Sequence, residues 1–401
     1  MALIGGLALG CQILALPAQA GVVVTGAAIT GDKTRTEFSM TLSQGVTVEV
    51  FTLANPYRVI LDMPDVTFEL PKDAGQSGQG LISAYRYGLF AARKSRVVID
   101  TVSPVSIEKA EMTAAPGGAV KLLLSLKSSD AASFGAGTGA SRTASRPVQA
   151  DLGRGADSPR PSRRTGRPVV VIDPGHGGVD PGALGASNVY EKDVVLAAAL
   201  ELFAELEKLD RFDVVLTRST DVFVSLDDRL EFSRSRSADL FVSLHADAIA
   251  DKRFTSQVRG ATVYTLSDRA SDEAARRMAE KENSADAIAG LPVLKEEEEG
   301  GVRDILIDLV KRETANFSMD ASNSLVGRLK QATQLSAKPQ RAAAFKVLRQ
   351  TGTPSVLVEL GYLSNKDDEK RLSSESWRRK VAESLAAAIS AYFDRRTALA
   401  P

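Results

Sequence analysis

Val169-Val170-Val171-Ile172-Asp173-Pro174-Gly175-His176-Gly177-Gly178 is the stretch that decides the fold. Its first four residues are apolar and β-branched, as in a strand buried on both faces. Pro174-Gly175 ends the run. An amphipathic helical pattern follows from Glu191 to Leu209. The alternation then continues outward. Val214-Val215-Leu216 reads as strand, Leu226 to Ser237 as helix, and Leu240-Phe241-Val242-Ser243-Leu244 as strand. Ala261 to Tyr264 and Ser355 to Val358 are further strands, and Trp377 to Arg395 is a closing helix. This predicts an α/β domain over 169–401, with a mainly parallel sheet flanked by helices on both faces.

Composition narrows the chemistry. Of 401 residues, 50 are basic and 50 acidic, so bulk charge does not favour a nucleic-acid binder. The single cysteine, Cys11, excludes an intrachain disulfide and a Cys-based zinc site. Imidazole chemistry must run through His176 or His245. Both follow the C-terminal end of a buried strand, where open α/β sheets bind ligands. Glu191, at the start of the first helix, is the candidate third ligand. Asn188-Val189-Tyr190-Glu191 also has capping-box-like spacing, so a purely structural role for Glu191 stays open. Two imidazoles and a carboxylate make a catalytic zinc site with a fourth position for water. Glu359 ends the run Ser355–Val358, where an unpaired carboxylate is costly to bury. Beside such a site it would act as general base, then as acid to the leaving group.

The first half reads differently. Met1 to Leu16 is almost wholly apolar, and Pro17-Ala18-Gln19-Ala20 supplies an A-x-A pattern, predicting a signal peptide over 1–20. No Lys or Arg precedes the apolar run; a charged start further upstream would complete the signal. No long apolar stretch follows, so no transmembrane segment is expected in the mature chain. Residues 21–127 carry short apolar runs separated by Gly, Asn-Pro and Pro-Gly turns, predicting a small all-β sandwich. Arg58-Val59-Ile60-Leu61-Asp62 recurs as Arg96-Val97-Val98-Ile99-Asp100, as two similar sheet halves would explain. Residues 128–168 are rich in Ser, Gly, Ala, Pro and Arg, and predict a disordered linker. Its seven arginines against three aspartates suit a solvated spacer or contact with anionic envelope polymers.

Four segments together are specific: Val171 to Gly178, Glu191, Phe241-Val242-Ser243-Leu244-His245-Ala246-Asp247, and Val358-Glu359-Leu360-Gly361-Tyr362-Leu363-Ser364-Asn365. They resemble the zinc-dependent N-acetylmuramoyl-L-alanine amidases of the cell-separation type. Thr217-Arg218-Ser219-Thr220-Asp221 and Asp227-Asp228-Arg229 resemble further family segments. The resemblance implies Zn2+ held by His176, Glu191 and His245, Glu359 as the catalytic glutamate, and peptidoglycan as substrate. With the signal peptide it implies a periplasmic protein. Residues 21–127 resemble the AMIN domain, a wall-targeting module. A two-His-one-carboxylate set would also suit a non-haem iron enzyme, which the α/β alternation argues against. A catalytically silent peptidoglycan-binding protein would have no use for four intact site residues.

Residues 265–350 exceed a minimal catalytic domain. Ala275 to Ala289 includes Glu280, Glu282, Asn283 and Asp286, and Glu296 to Glu299 follow. In Val302–Arg312, Val302, Ile305, Leu306 and Leu309 form one apolar stripe, while Ile307 and Val310 add a second face. In regulated members of the resembled family, an inserted helical segment covers the zinc until an activator with a LytM-type domain displaces it. The resemblance therefore implies autoinhibition and a LytM-domain activator binding near Val302–Arg312. Which glutamate would block the zinc is left open.

Overall fold

The computed structural model describes residues 21–134, 166–248, 258–292 and 305–399. The expected signal peptide, most of the expected linker and residues 293–304 lie outside the described residues.

The first half is a two-sheet sandwich. β1 (Val22–Gly31), β2 (Arg35–Leu42), β5 (Val66–Phe68), β8 (Val105–Ala114) and β9 (Val120–Ser128) form one sheet, in the order β5-β1-β2-β9-β8. β3 (Glu49–Leu53), β4 (Arg58–Pro64), β6 (Ile82–Ala91) and β7 (Lys94–Thr101) form the other, in the order β3-β4-β7-β6. Phe38, Met40, Leu122 and Leu124 of one sheet meet Val59, Leu61, Val97 and Ile99 of the other. The Arg-Val-x-x-Asp repeat does not mark two sheet halves. Its copies are neighbouring antiparallel strands, β4 and β7, with Arg58 opposite Asp100 and Asp62 opposite Arg96. Beyond β9 the chain stays on the sandwich longer than expected: the Phe134 ring packs edge-on against Tyr57, centroids 4.8 Å apart.

The second half is a six-stranded sheet, ordered β11-β10-β12-β15-β13-β14. Its strands are β10 (Val169–Pro174), β11 (Asp213–Leu216), β12 (Leu240–His245), β13 (Ala261–Leu266), β14 (Leu335–Ala343) and β15 (Ser355–Glu359). Every pair is parallel except β13 with β15. Alternation sends successive residues to opposite cores. Val170, Ile172, Val242 and Val356 pack under α1 (Glu191–Lys208), α5 (Ile305–Ala332) and α7 (Glu375–Leu399). Val171, Phe241 and Leu357 pack under α2 (Leu226–Ser235) and α3 (Glu273–Glu282). Short helices α4 (Ala285–Ile288) and α6 (Lys366–Leu372) complete the set.

The insertion is not wholly helical. β14 lies inside it and joins the sheet edge beside β13, although it contains no β-branched residue. Ladder pairing overrides weak strand propensity there. α5 buries Ala321, Leu325 and Leu329, while Leu309, expected on the inner stripe, is 56% exposed. Its apolar packing lies in the C-terminal half, while nearer the start Ser318 accepts from the Ser355 amide at 3.0 Å and Leu309 and Val310 are exposed.

Candidate active site and metal centre

β10, β12 and β15 are adjacent and parallel, so their C-terminal ends share one edge; Pro174 is level with Leu244 and His245 with Glu359. His176 stands just past β10 with φ 57°, a left-handed conformation costly outside glycine. Surrounding contacts enforce it. Arg229 donates to Asp173 at 2.6 Å, to the Pro174 carbonyl at 2.7 Å and to the His176 carbonyl at 2.8 Å. Arg218 donates to the carbonyls of Pro174 at 3.0 Å and Gly175 at 2.8 Å. Thr217 and Ser243 complete the shell around Asp173 at 2.6 and 2.7 Å. The Thr217–Asp221 and Asp227–Arg229 segments thus hold the histidine loop in place. Gly175 makes room for the second ring: a Cβ there would lie 2.5 Å from the His245 imidazole.

Three expected ligands converge. His176, Glu191 and His245 each offer a ligand atom, all within 4.8 Å of one another. Glu191 lies 3.2 Å from His176 Nε2 and 3.3 Å from His245 Nδ1. Its oxygens also accept from the amides of Ala183 and Ala246, each at 2.9 Å. The capping-box arrangement is not formed: α1 begins at Glu191 itself, and Tyr190 caps without a side-chain bond. Among the described residues, His176 Nε2 and His245 Nδ1 find no hydrogen-bond partner although both are buried. Buried, unpaired lone pairs facing a carboxylate are what a divalent ion would satisfy. The donor set fits zinc.

Glu359 lies in the same pocket, fully buried. Its Oε2 accepts from the Asp247 amide at 3.1 Å, and its Oε1 is unpartnered among the described residues. Two neighbours were not singled out from sequence. Asp180 accepts from His176 Nδ1 at 2.8 Å, which leaves Nε2 for the metal side. Its only signal was an acidic residue four positions after the histidine. Glu282, the last residue of α3, lies 3.1 Å from His245 Nδ1 and 3.4 Å from His176 Nε2. Lys281 beside it pairs with Asp247, which completes a His-x-Asp spacing with His245 but turns toward α3. Glu280, two residues earlier, pairs with Arg276 on the exposed side of α3.

Electrostatics follow from this packing. Burial opposes charge on His176, but Glu191, Asp180 and Glu282 raise it well above its ordinary value. Burial likewise opposes charge on His245, yet Glu282 and Glu191 lift it to about 10. Burial would raise Glu191, but the two imidazoles hold it well below the usual carboxylate range. Glu359 goes the other way: burial, aided by Glu191 and Glu282, pushes it well up. Glu191 and Glu282 thus favour positive charge at both imidazoles, a demand that a divalent ion would also meet.

These features define the class, an α/β enzyme with a two-histidine, one-glutamate cluster able to bind a metal. Residues 170–391 match the N-acetylmuramoyl-L-alanine amidase family, Amidase_3, and residues 28–122 match the AMIN domain. The chain belongs to the N-acetylmuramoyl-L-alanine amidases and carries an AMIN domain ahead of the catalytic sheet. It is 33% identical to N-acetylmuramoyl-L-alanine amidase AmiC of Neisseria meningitidis serogroup B over 386 residues, covering 92% of this chain and 90% of that one. It is 35% identical to N-acetylmuramoyl-L-alanine amidase AmiA of Escherichia coli over 240 residues, 60% of this chain and 81% of that one. Among solved structures, N-acetylmuramoyl-L-alanine amidase AmiC2 of Nostoc punctiforme is similar, with TM-score 0.41 and 29% identity, covering 57% of this chain and 99% of that one. Membership in this family leaves the iron-enzyme and silent-binder readings without support. Among the described residues no helix is long and apolar enough to cross a membrane.

Proposed function

We propose that this amidase hydrolyses the amide between N-acetylmuramic acid and the L-alanine of the stem peptide, with zinc as its metal, in the periplasm. The convergence of His176, Glu191 and His245 beside the unpaired oxygen of Glu359 carries the reading. His176 Nε2, His245 Nδ1 and a Glu191 oxygen would hold the ion. When bound, zinc supplies Lewis acidity, polarising a carbonyl and making water nucleophilic near neutral pH. Glu359 Oε1 takes a proton from the attacking water, while the Asp247 amide fixes Oε2. The scissile C–N bond breaks as the proton passes to the departing amine of L-alanine. Asp180 keeps Nδ1 of His176 protonated so that Nε2 stays available. Muropeptide analysis of digested sacculi tests this: free stem peptides and peptide-free glycan strands are expected. Products cut within the glycan or between stem residues overturn it.

Glu282 lies 3.1 Å from His245 Nδ1 and 3.4 Å from His176 Nε2, on the side of both imidazoles where the ion would be held. We read Glu282 as the blocking glutamate of an autoinhibited enzyme, released when a LytM-domain activator engages the start of α5. The exposure of Leu309 and Val310 supports an engagement surface there. Glu282→Ala tests the block: dye release from labelled sacculi should rise roughly tenfold or more without any partner. A folded variant as inactive as the parent removes Glu282 from this role.

A further inference from the structure

Wall attachment does not account for the Arg-Val-x-x-Asp repeat. In β4 and β7, Val59, Leu61, Val97 and Ile99 face the sandwich core. The alternate residues, Arg58-Ile60-Asp62 and Arg96-Val98-Asp100, make the opposite face. That face is covered by the catalytic half: Ile60, Val98 and Phe90 pack with Val179, Phe223, Ala289 and Leu291. Phe90 and Phe223 stack with centroids 5.7 Å apart.

Five successive carbonyls meet three arginines here. Arg58 donates to Ala287 and, at 3.4 Å, to Leu291. Arg86 donates to Ile288 at 3.2 Å. Arg96 donates to Ala289 at 3.2 Å and to Gly290 at 2.8 Å. Arg58 and Arg96 are only 1% and 2% exposed. Two of the three arginines carry carboxylate partners: Asp62 takes Arg96 at 2.6 and 2.8 Å, and Asp100 takes Arg86 at 2.7 and 2.8 Å. Arg58 is held by the carbonyls instead, and burial lowers its pKa to about 10. Carbonyls leaving a helix C-terminus carry partial negative charge, which guanidinium donors match. Gly290, at φ 73°, lets the segment lie against the sheet; a Cβ there would stand 2.7 Å from Ile60 Cδ1.

Residues 287–291 are close to the active site in sequence, with only 283–286 between them and Glu282. That connection is tied down. The Asn283 side chain donates to the Ala344 carbonyl at 2.8 Å and accepts from the Lys346 amide at 2.7 Å. Asp286 accepts from the Leu226 amide at 2.9 Å. We propose that the arginine face of the N-terminal sheet is the receptor for residues 287–291 and thereby holds Glu282 on the two histidines. This rests on the reading of Glu282 as the blocking group. The AMIN sheet is then half of the lock as well as a wall module. An activator must overcome this seat in addition to the contacts around Glu282.

The test uses the full chain and separates the two ideas. Arg58→Met removes donors while Asp100 keeps Arg86, and Gly290→Val wedges the seat without touching the active site. Glu282→Ala serves as the reference. Basal dye release should rise in all three, roughly tenfold or more. Amide hydrogen exchange across 273–291 should quicken in Arg58→Met and Gly290→Val. Combining Glu282→Ala with Gly290→Val should add little further activity, because both undo one block. Melting curves establish folding, and if Gly290→Val does not fold, Arg58→Met decides alone. If Glu282→Ala stays silent, the autoinhibition reading and this proposal fall together. If Glu282→Ala is active while the folded seat variants remain silent with unchanged exchange, the arginine seat is overturned and the block by Glu282 stands.

Discussion

Asp180 lies 2.8 Å from Nδ1 of His176, and under the proposed zinc reading it would set metal affinity from outside the ligand set. Asp180→Asn should weaken zinc binding about 10–100-fold, read by competition with a chromophoric chelator. His176→Ala and His245→Ala should lose metal and hydrolysis together, and Glu191→Ala should follow them. Glu359→Gln is expected to separate the two properties: metal content stays near parent while dye release falls about 10²–10⁴-fold. Near-parental activity in a metal-loaded Glu359→Gln protein would falsify its role in proton transfer. Asp62 belongs to the same scale. Burial raises its carboxyl, but Arg96 and Lys94 more than reverse this and hold it below its ordinary value. A depressed folded pKa stabilises the protein above the unfolded value of about 3.9. That contribution fades as pH falls through the folded value. Asp62→Asn, which leaves the buried Arg96 charge without its carboxylate, should cost about 3–5 kcal/mol at neutral pH. Its melting temperature should also fall less steeply on acidification than that of the parent.

Among elements, α5 carries the contrast between packing and exposure. From Ala321 onward it is fixed against α7 and the sheet, while Leu309 and Val310 face outward. Charged substitutions at Ile307 and Val310 should abolish the response to a LytM-domain activator. They should leave the fold and the activity of a Glu282→Ala background intact, as dye release with and without activator would show. A variant that still responds fully places the engagement surface elsewhere. The strands of the α/β sheet were legible because double-sided burial writes continuous apolar runs such as Val169 to Ile172. His176, His245 and Glu359 were legible because each lies at the end of such a run. Glu191 was only half legible, since the spacing around it fits a cap as well as a ligand. β14 was hidden by its composition: Lys338, Pro339 and Gln340 carry no strand signal, and pairing with β13 alone makes it a strand. Glu282 was one acid among several in the insertion, and only the seating of α3 distinguishes it from exposed Glu280.

At the scale of the whole molecule, the AMIN sandwich and the catalytic sheet share an apolar contact as well as the arginine seat. The isolated 21–134 segment is expected to sediment with purified sacculi without cutting them; if it stays in the supernatant while the full chain pellets, wall targeting lies elsewhere. The contact between the halves was not legible in sequence. Arg96 and Gly290 are 194 positions apart, and no periodicity links them. The repeat itself was visible, but it was read as two similar sheet halves and carried no sign of what its outward residues touch.

The backbone approach between Gly88 and Gly178 has its own consequence. A Cβ on Gly88 would stand 2.4 Å from the Gly178 carbonyl carbon, and the Phe223 amide donates to the Leu89 carbonyl at 3.1 Å. The joint between the halves therefore includes a main-chain approach beside its side-chain contacts. Grafting this sandwich onto an unrelated amidase, or this catalytic half behind a foreign wall binder, should give a folded chimera with poorly matched halves. Such a chimera should digest sacculi before any signal arrives, and restoring residues 287–291 together with their own sheet should return it to silence.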